Sequence, residues 1–273
     1  MEDEDWTRTM NAPWNIFENA TDGLPRLVAA DTWWFGWCLV VRDGDKYLHN
    51  SNNCFLMIGR EKTVLIDTTM PMGWPELKRD LVRILNGRPL DYIFATHPES
   101  PHMGNLEPLC HEYPDVRIIG DLRNYHLFLP HLARHFLPMK PEESIDLGGR
   151  KLVLKPAVIH DLPNSLWGYD PDIQMLFVAD SFPYTHDHEC GQCGMTSEEL
   201  PSPIRPEDTS VVISRALNWA RYVDATPLIE KLRAFLVENP VKLIGPSHGG
   251  VITNPADLTD IFEAGLKRAK GLA

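Results

Sequence analysis

The chain has 273 residues, 43% of them hydrophobic, with 38 acidic and 26 basic side chains for a formal net charge of −12. That length and apolar content can fill one sizeable core between two packed sheets. The acidic balance excludes the basic footprint that phosphate backbones require, so no nucleic-acid partner is expected. No apolar run reaches the ~18–20 residues of a membrane span, and the acidic start Met1-Glu2-Asp3-Glu4-Asp5 is the reverse of a basic signal-peptide opening. A cytoplasmic protein with no membrane partner is expected. The odd count of five cysteines fits a reducing compartment, and Cys38, Cys54 and Cys110 lie singly in apolar surroundings, as buried small hydrophobes do.

Residues 1–25 lack periodicity and read as an arm docked on the domain or on a partner subunit of a homo-oligomer; residues 26–273 read as a single domain. A hairpin is expected from Leu27 to Val41, interrupted by the aromatic run Trp33-Trp34-Phe35-Gly36-Trp37. Such a run suits a core or dimer interface, or the wall of a substrate pocket. Residues 53–68 read as a strand, a charged turn and a second strand ending at Asp67. Pro75 opens an amphipathic helix over 75–85, with Leu77, Leu81 and Leu85 on one face. Further along, helices are expected over 106–113, 122–136, 209–223, 226–237 and 255–269, the fourth with Thr226 as its N-cap and Pro227 at the first helical position. In the second of these, His131 and His135 are four apart and could share a face, though no carboxylate or Cys joins them at ligand spacing.

The chemistry gathers at strand ends. The apolar run Asp91-Tyr92-Ile93-Phe94-Ala95 leads directly into Thr96-His97-Pro98-Glu99-Ser100-Pro101-His102, which places two imidazoles and a carboxylate in six residues. A loop curling round an ion can aim all three inward, where a straight strand would spread them. Three more short apolar runs end in a donor: His160 after 151–159, Asp180 after 175–179, and His248 after 241–247. Four strand ends presenting His, Glu and Asp imply one site at a common sheet edge.

In these positions the sequence resembles the metallo-β-lactamase fold, and within it the di-iron domain of the flavodiiron and related oxygen-binding di-iron proteins. The family pattern is H-x-E-x-D-H, a lone His, an Asp at a strand end, and a His in a P-S-H-G turn. Here it reads His97, Glu99, Pro101, His102, His160, Asp180 and Pro246-Ser247-His248-Gly249. The resemblance implies an α/β (α+β) fold, an αββα sandwich with the metal site along one edge. It also implies that His97, Glu99 and His160 hold one metal, that Asp180 bridges, that His102 and His248 hold the second, and that Asp67 orients the metal loop. One position departs: the family's Asp is Pro101, which has no ligating side chain. The second metal is then either weak or absent, or bound with an extra open position.

Two imidazoles and two carboxylates suit iron, with zinc or manganese as alternatives, and two histidines with one carboxylate leave room for dioxygen. The expected function is a non-haem iron oxidoreductase, di-iron or mononuclear, that binds and activates dioxygen on a small organic substrate or with a separate reductase. A zinc-dependent hydrolase of an ester, lactone or thioester is the alternative, weakened because Pro101 cannot hold a nucleophilic hydroxide; a non-catalytic oxygen-binding sensor is another. No phosphate-cradling loop is visible, so no flavin is expected on this chain. His186 follows Asp180 closely enough to donate a hydrogen bond to a ligand in the same cavity. The run from His186 through His188, Cys190 and Cys193 is a second chemical signal, open between a structural zinc site, a redox dithiol and an ordinary loop.

Overall fold

The computed structural model describes residues 14–15, 23–43, 46–187 and 193–270. The first half of the chain builds the larger of two sheets. Its strands are β1 (Trp14–Asn15), β2 (Arg26–Ala29), β3 (Thr32–Asp43), β4 (Lys46–Ile58), β5 (Thr63–Ile66), β6 (Tyr92–Phe94), β7 (Arg117–Gly120) and β8 (Phe136–Pro138). They run in the order β1-β3-β4-β5-β6-β7-β8, with β2 also on β3. The smaller sheet contains β9 (Ser144–Asp146), β10 (Lys151–Pro156), β11 (Leu166–Asp170), β12 (Met175–Phe177) and β13 (Leu243–Gly245), ordered β13-β12-β11-β10-β9.

Helices cover the outer faces. On the larger sheet, α1 (Trp74–Leu85) lays Leu77, Leu81 and Leu85 against Leu65, Ile93 and Ile118, joined by Leu106 and Leu109 of α3 (Leu106–Glu112). A short turn of helix, α2 (Ser100–Met103), lies between them in sequence. On the smaller sheet, α5 (Pro206–Ala216), α6 (Thr226–Glu238) and α7 (Pro255–Lys270) bury Ile213, Leu232 and Phe262 against Trp167, Leu176 and Ile244. Between the sheets, Phe55, Val64, Ile66 and Phe94 meet Leu152, Leu154, Met175 and Phe177. The layers are therefore helix, sheet, sheet, helix, the αββα sandwich expected.

Three local expectations are corrected. The aromatic run does not interrupt a hairpin; it lies within β3, in register with β4 from Trp33 opposite Leu56 to Trp37 opposite Asn52. Alternation then sends Trp34 into the inter-sheet core and Phe35 toward the α1 layer, both fully buried, so these two rings are core and wall no pocket at the site. The helix expected over 122–136 is broken into α4 (Tyr125–Phe128), a 3-10 segment Pro130–His135 and β8, because Pro130 has no N–H to donate and its ring clashes with the preceding turn. His131 is consequently exposed beside Glu107, while His135 is buried with Nδ1 2.8 Å from the Val116 carbonyl, and the two do not converge. Thr226 is the first helical residue of α6 and Ala225 its N-cap; the Thr226 N–H and hydroxyl both donate to Asp224.

The site lies where the parallel pairs end. β5 pairs parallel with β6, and β12 with β13, so the residues that follow these four strands emerge along one edge of the sandwich.

Candidate metal centre

Asp67 follows β5 in a left-handed conformation (φ 58°), and Ala179, just ahead of Asp180, has φ 50°. Such angles cost of order 1–3 kcal/mol each for non-glycine residues and tend to persist where the surroundings hold them. Here they turn the chain sharply at strand ends. Past β13 the turn is completed by Gly249 at φ 110°, where a Cβ would lie 2.7 Å from the Tyr184 ring, so glycine is required beside His248.

Three carboxylates meet around His97, which is fully buried: its Nε2 is 3.3 Å from Asp180 Oδ2, 3.6 Å from Asp161 Oδ2 and 4.0 Å from Glu99 Oε2. A second set shares the other Asp180 oxygen. His102 Nε2 and His248 Nε2 each lie 3.2 Å from Asp180 Oδ1, and the His97 and His102 ring centres are 3.8 Å apart. His97, Glu99, Asp161 and Asp180 can close on one ion, as can His97, His102 and Asp180.

The donors are prepared for a cation. His97 Nε2, His102 Nε2 and Asp180 Oδ1 are buried with no hydrogen-bond partner, close to one another but not aligned to bond. Three such orphaned atoms within one cluster are costly unless a cation satisfies them. Their orientation is fixed from behind. Asp67, itself buried, accepts from the Thr96 N–H and hydroxyl (both 2.9 Å to Oδ1), from His102 Nδ1 (2.8 Å to Oδ2) and from the Ser247 hydroxyl (3.0 Å to Oδ2). With one proton held on Nδ1 by the Asp67 carboxylate, Nε2 is the His102 nitrogen that faces the cluster, and its proton is the one a binding cation would displace. His248 is set the same way: the Ser51 carbonyl, 3.2 Å from Nδ1, can only accept, which leaves Nε2 bare.

Charge follows this geometry. Burial opposes protonation of His102, yet Asp67 and Asp180 outweigh it and hold the imidazole well above its usual range. Burial likewise opposes ionisation of Asp180, but His102 and His97 draw it well below the carboxylate range. Glu99 is pushed up by burial and then by repulsion from Asp161. Two facing carboxylates that repel each other are a further sign of a cation position.

His160 and His186 are not brought to this cluster. His160 turns its Nδ1 to the Ala157 carbonyl (2.8 Å) and its own carbonyl to Trp219 Nε1 (2.7 Å), and lines a cavity with Asp161, Pro163, Trp219 and Leu228. Its neighbour Asp161 takes the place by His97, a residue sequence reasoning missed although a second donor beside the lone His was the available signal. His102 stands on the helical turn α2 rather than in an open loop. His186 exchanges two backbone hydrogen bonds of 2.9 Å with His49, and lines a different cavity with Asp187, Arg205 and Asp208. It is not among the described residues that line the cavity over Asp180. Cys38, expected among apolar neighbours, has its sulfur 3.2 Å from His49 Nδ1. Cys193 is buried, whereas His188 and Cys190 lie outside the described residues. A cavity of about 420 Å³ opens over Glu99, Asp180 and His248, and Pro101 forms part of its wall.

An αββα sandwich carrying a histidine and carboxylate cluster along the edge where its parallel strands end defines a class of candidate metal-binding domains. The sequence profile of the metallo-beta-lactamase superfamily matches residues 49–199, and the chain belongs to that superfamily. Among curated proteins it is 27% identical over 225 residues to the anaerobic nitric oxide reductase flavorubredoxin of Klebsiella pneumoniae, covering 80% of this chain and 45% of that one. It is 22% identical over 252 residues to an oxidase of Methanocaldococcus jannaschii, covering 86% and 59%. The chain thus spans about half the length of the curated relatives it matches. In fold it resembles rubredoxin oxygen:oxidoreductase from Desulfovibrio gigas, with a TM-score of 0.72 and 17% identity over 90% of this chain and 61% of that one. Among the described residues no helix is long and apolar enough to cross a membrane.

Proposed function

We propose that the chain is a metal-dependent oxidoreductase with a non-haem iron centre that activates dioxygen, acting on a small organic substrate or drawing electrons from a separate reductase. The observation that carries this reading is the donor set itself: three imidazoles (His97, His102, His248) and three carboxylates (Glu99, Asp161, Asp180), with buried, orphaned atoms of His97, His102 and Asp180 at its floor. Oxygen-rich donors with imidazole favour iron or manganese over a closed structural zinc. His97, Glu99, Asp161 and Asp180 would hold the first ion, and His102, His248 and Asp180 the second, with Pro101 leaving that side short of a donor. Iron held there would supply one-electron redox chemistry toward dioxygen.

The chain's own residues do the rest. Asp180 ties both donor sets together through its two oxygens. Asp67 holds a His102 proton on Nδ1, and the Ser51 carbonyl holds that of His248 there, so in each imidazole Nε2 is the atom that faces the cluster. Burial of His97, His102 and Asp180 excludes water from the floor, while half-exposed Glu99 stands at the rim. The named relatives, an oxidase and a nitric oxide reductase, support redox chemistry, in the second case on a diatomic ligand. A cytoplasmic setting fits the buried thiols of Cys54 and Cys110, the latter pushed up to about 12 by burial. Oxygen uptake tests the proposal: iron-loaded protein with a chemical reductant should consume dioxygen and zinc-loaded protein should not. Equal inertness of both forms, with anaerobic ester hydrolysis by the zinc form, would refute it.

A further inference from the structure

The cavity that opens over Glu99, Asp180 and His248 has a volume of about 420 Å³. A water molecule occupies about 30 Å³ in the liquid, and cavities that take organic ligands run from roughly 300 to 1,000 Å³. The space therefore suits more than a diatomic molecule. Its walls are mostly apolar: Leu39 and Val40 come from β3, Met70 from the loop after β5, Pro101 from α2, and Val212 and Ala216 stand four residues apart on one face of α5. Leu39 and Val212 are buried and the other four half-buried, so this apolar surface lines a recess and not the outer face of the molecule.

Two of the walls are set by one side chain. Asn52, fully buried on β4, donates from Nδ2 to the Pro101 carbonyl (3.2 Å) and accepts the Met70 N–H at Oδ1 (2.9 Å), which fixes the two segments against each other. A pocket shaped before its ligand arrives loses less ordering entropy on binding. The polar end is the donor set of Glu99, Asp180 and His248. An ionic head group among the apolar walls would give up its hydration. Arg215 also borders the cavity but is already engaged within the chain, so pairing with it would disturb an existing contact.

We infer that the cavity takes an uncharged organic molecule with an apolar body, held by burial of that body against Leu39, Val40, Met70, Pro101, Val212 and Ala216 and directed toward Asp180. This inference rests on the metal-centred reading above and names the substrate class for it. Selection is by apolar surface: each buried methylene adds affinity, whereas a polyol of similar size loses hydration and gains little.

The test is calorimetric titration of the metal-loaded full chain with benzyl alcohol, 2-phenylethanol and 3-phenylpropanol, with metal counted on the same samples. Affinity should rise about three- to fourfold per added methylene, with a negative heat-capacity change. Inositol, and the charged counterparts 3-phenylpropionate and 3-phenylpropylammonium, should each bind at least about tenfold more weakly than 3-phenylpropanol. Ala216→Phe puts a ring into the cavity and should abolish 3-phenylpropanol binding without changing metal content. Val212→Thr, close in shape but carrying a hydroxyl, should weaken it about threefold or more. Affinity flat across the series, inositol or a charged probe binding as tightly as 3-phenylpropanol, binding unchanged by both substitutions, or no binding to metal-loaded protein would overturn the inference. A chain that takes up no metal would instead sink the metal-centred reading. Binding of 3-phenylpropanol to that chain, lost in Ala216→Phe, would still uphold the preference of the cavity; its absence would overturn both.

Discussion

Replacing Asp67 with Asn isolates the control of His102 from the ligands themselves. The amide oxygen can still accept from the Thr96 N–H and hydroxyl at the Oδ1 position. At the Oδ2 position an NH₂ group would face two donors, His102 Nδ1 at 2.8 Å and the Ser247 hydroxyl at 3.0 Å. The hydroxyl can rotate to accept; the imidazole can relieve the clash only by moving its proton to Nε2. Hydrogen bonds to a charged group contribute about 1.5–3 kcal/mol each, and relaxation of both partners recovers part of two of them. A net loss of about 1–3 kcal/mol follows, a fall in Tm of roughly 2–10 °C for a chain of this size. The larger effect is on metal. An Nε2 that carries a proton cannot ligate, so the ion on the His102 side should bind about 10–100-fold more weakly, while the His97 side is less affected. Competition with a chromophoric chelator, read beside thermal unfolding, separates the two. Wild-type metal affinity on both sides, together with the expected loss of stability, would refute the tautomer argument.

Asp161→Ala should lower metal content, whereas His160→Ala should leave it near wild type, because only Asp161 faces His97; the opposite ranking in elemental analysis would restore His160 to the centre. Pro101→Asp adds a carboxylate beside His248 and should strengthen retention of the second ion by at least about tenfold against chelator; unchanged retention would mean that Pro101 does not limit that position. Away from the site, Glu199 is held at about 2 by its bonds with Arg26 and the Thr196 N–H. A folded-state value below the unfolded one adds stability that is present above the unfolded carboxyl range and lost as pH falls toward 2. Both partners are over a third exposed, so the contribution should stay below about 1 kcal/mol. Denaturant unfolding of Glu199→Gln against wild type should show a gap near pH 6 that closes below about pH 3, and a gap independent of pH would count against the pairing.

The donors that were legible in sequence are those fixed by strand ends. Short apolar runs stop at the edge of a sheet, so His97, Asp180 and His248 had to emerge together once their strands were placed. Glu99 and His102 followed because a tight loop after β6 keeps them near its end. The choice between His160 and Asp161 was not legible. Adjacent residues in an irregular loop point in directions set by local φ and ψ, and here the Ala157 carbonyl and Trp219, far off in sequence, draw the 160 position away. His186 was misplaced for a related reason: a backbone bridge to His49 on β4, invisible in the local pattern, pulls it to another cavity. The aromatic run hid its period of two because inward and outward positions are both apolar, β3 being covered on both faces. Between Leu122 and Phe136 the helical spacing was real, but Pro130 overrules spacing.

Elemental analysis of protein purified without air, with an optical spectrum taken before and after oxygen is admitted, bears most directly on the metal-centred redox reading. The account predicts iron, about two ions per chain or one where Pro101 leaves the second position weak, and an absorption change on admitting oxygen. Zinc alone, with a spectrum indifferent to oxygen, would contradict it.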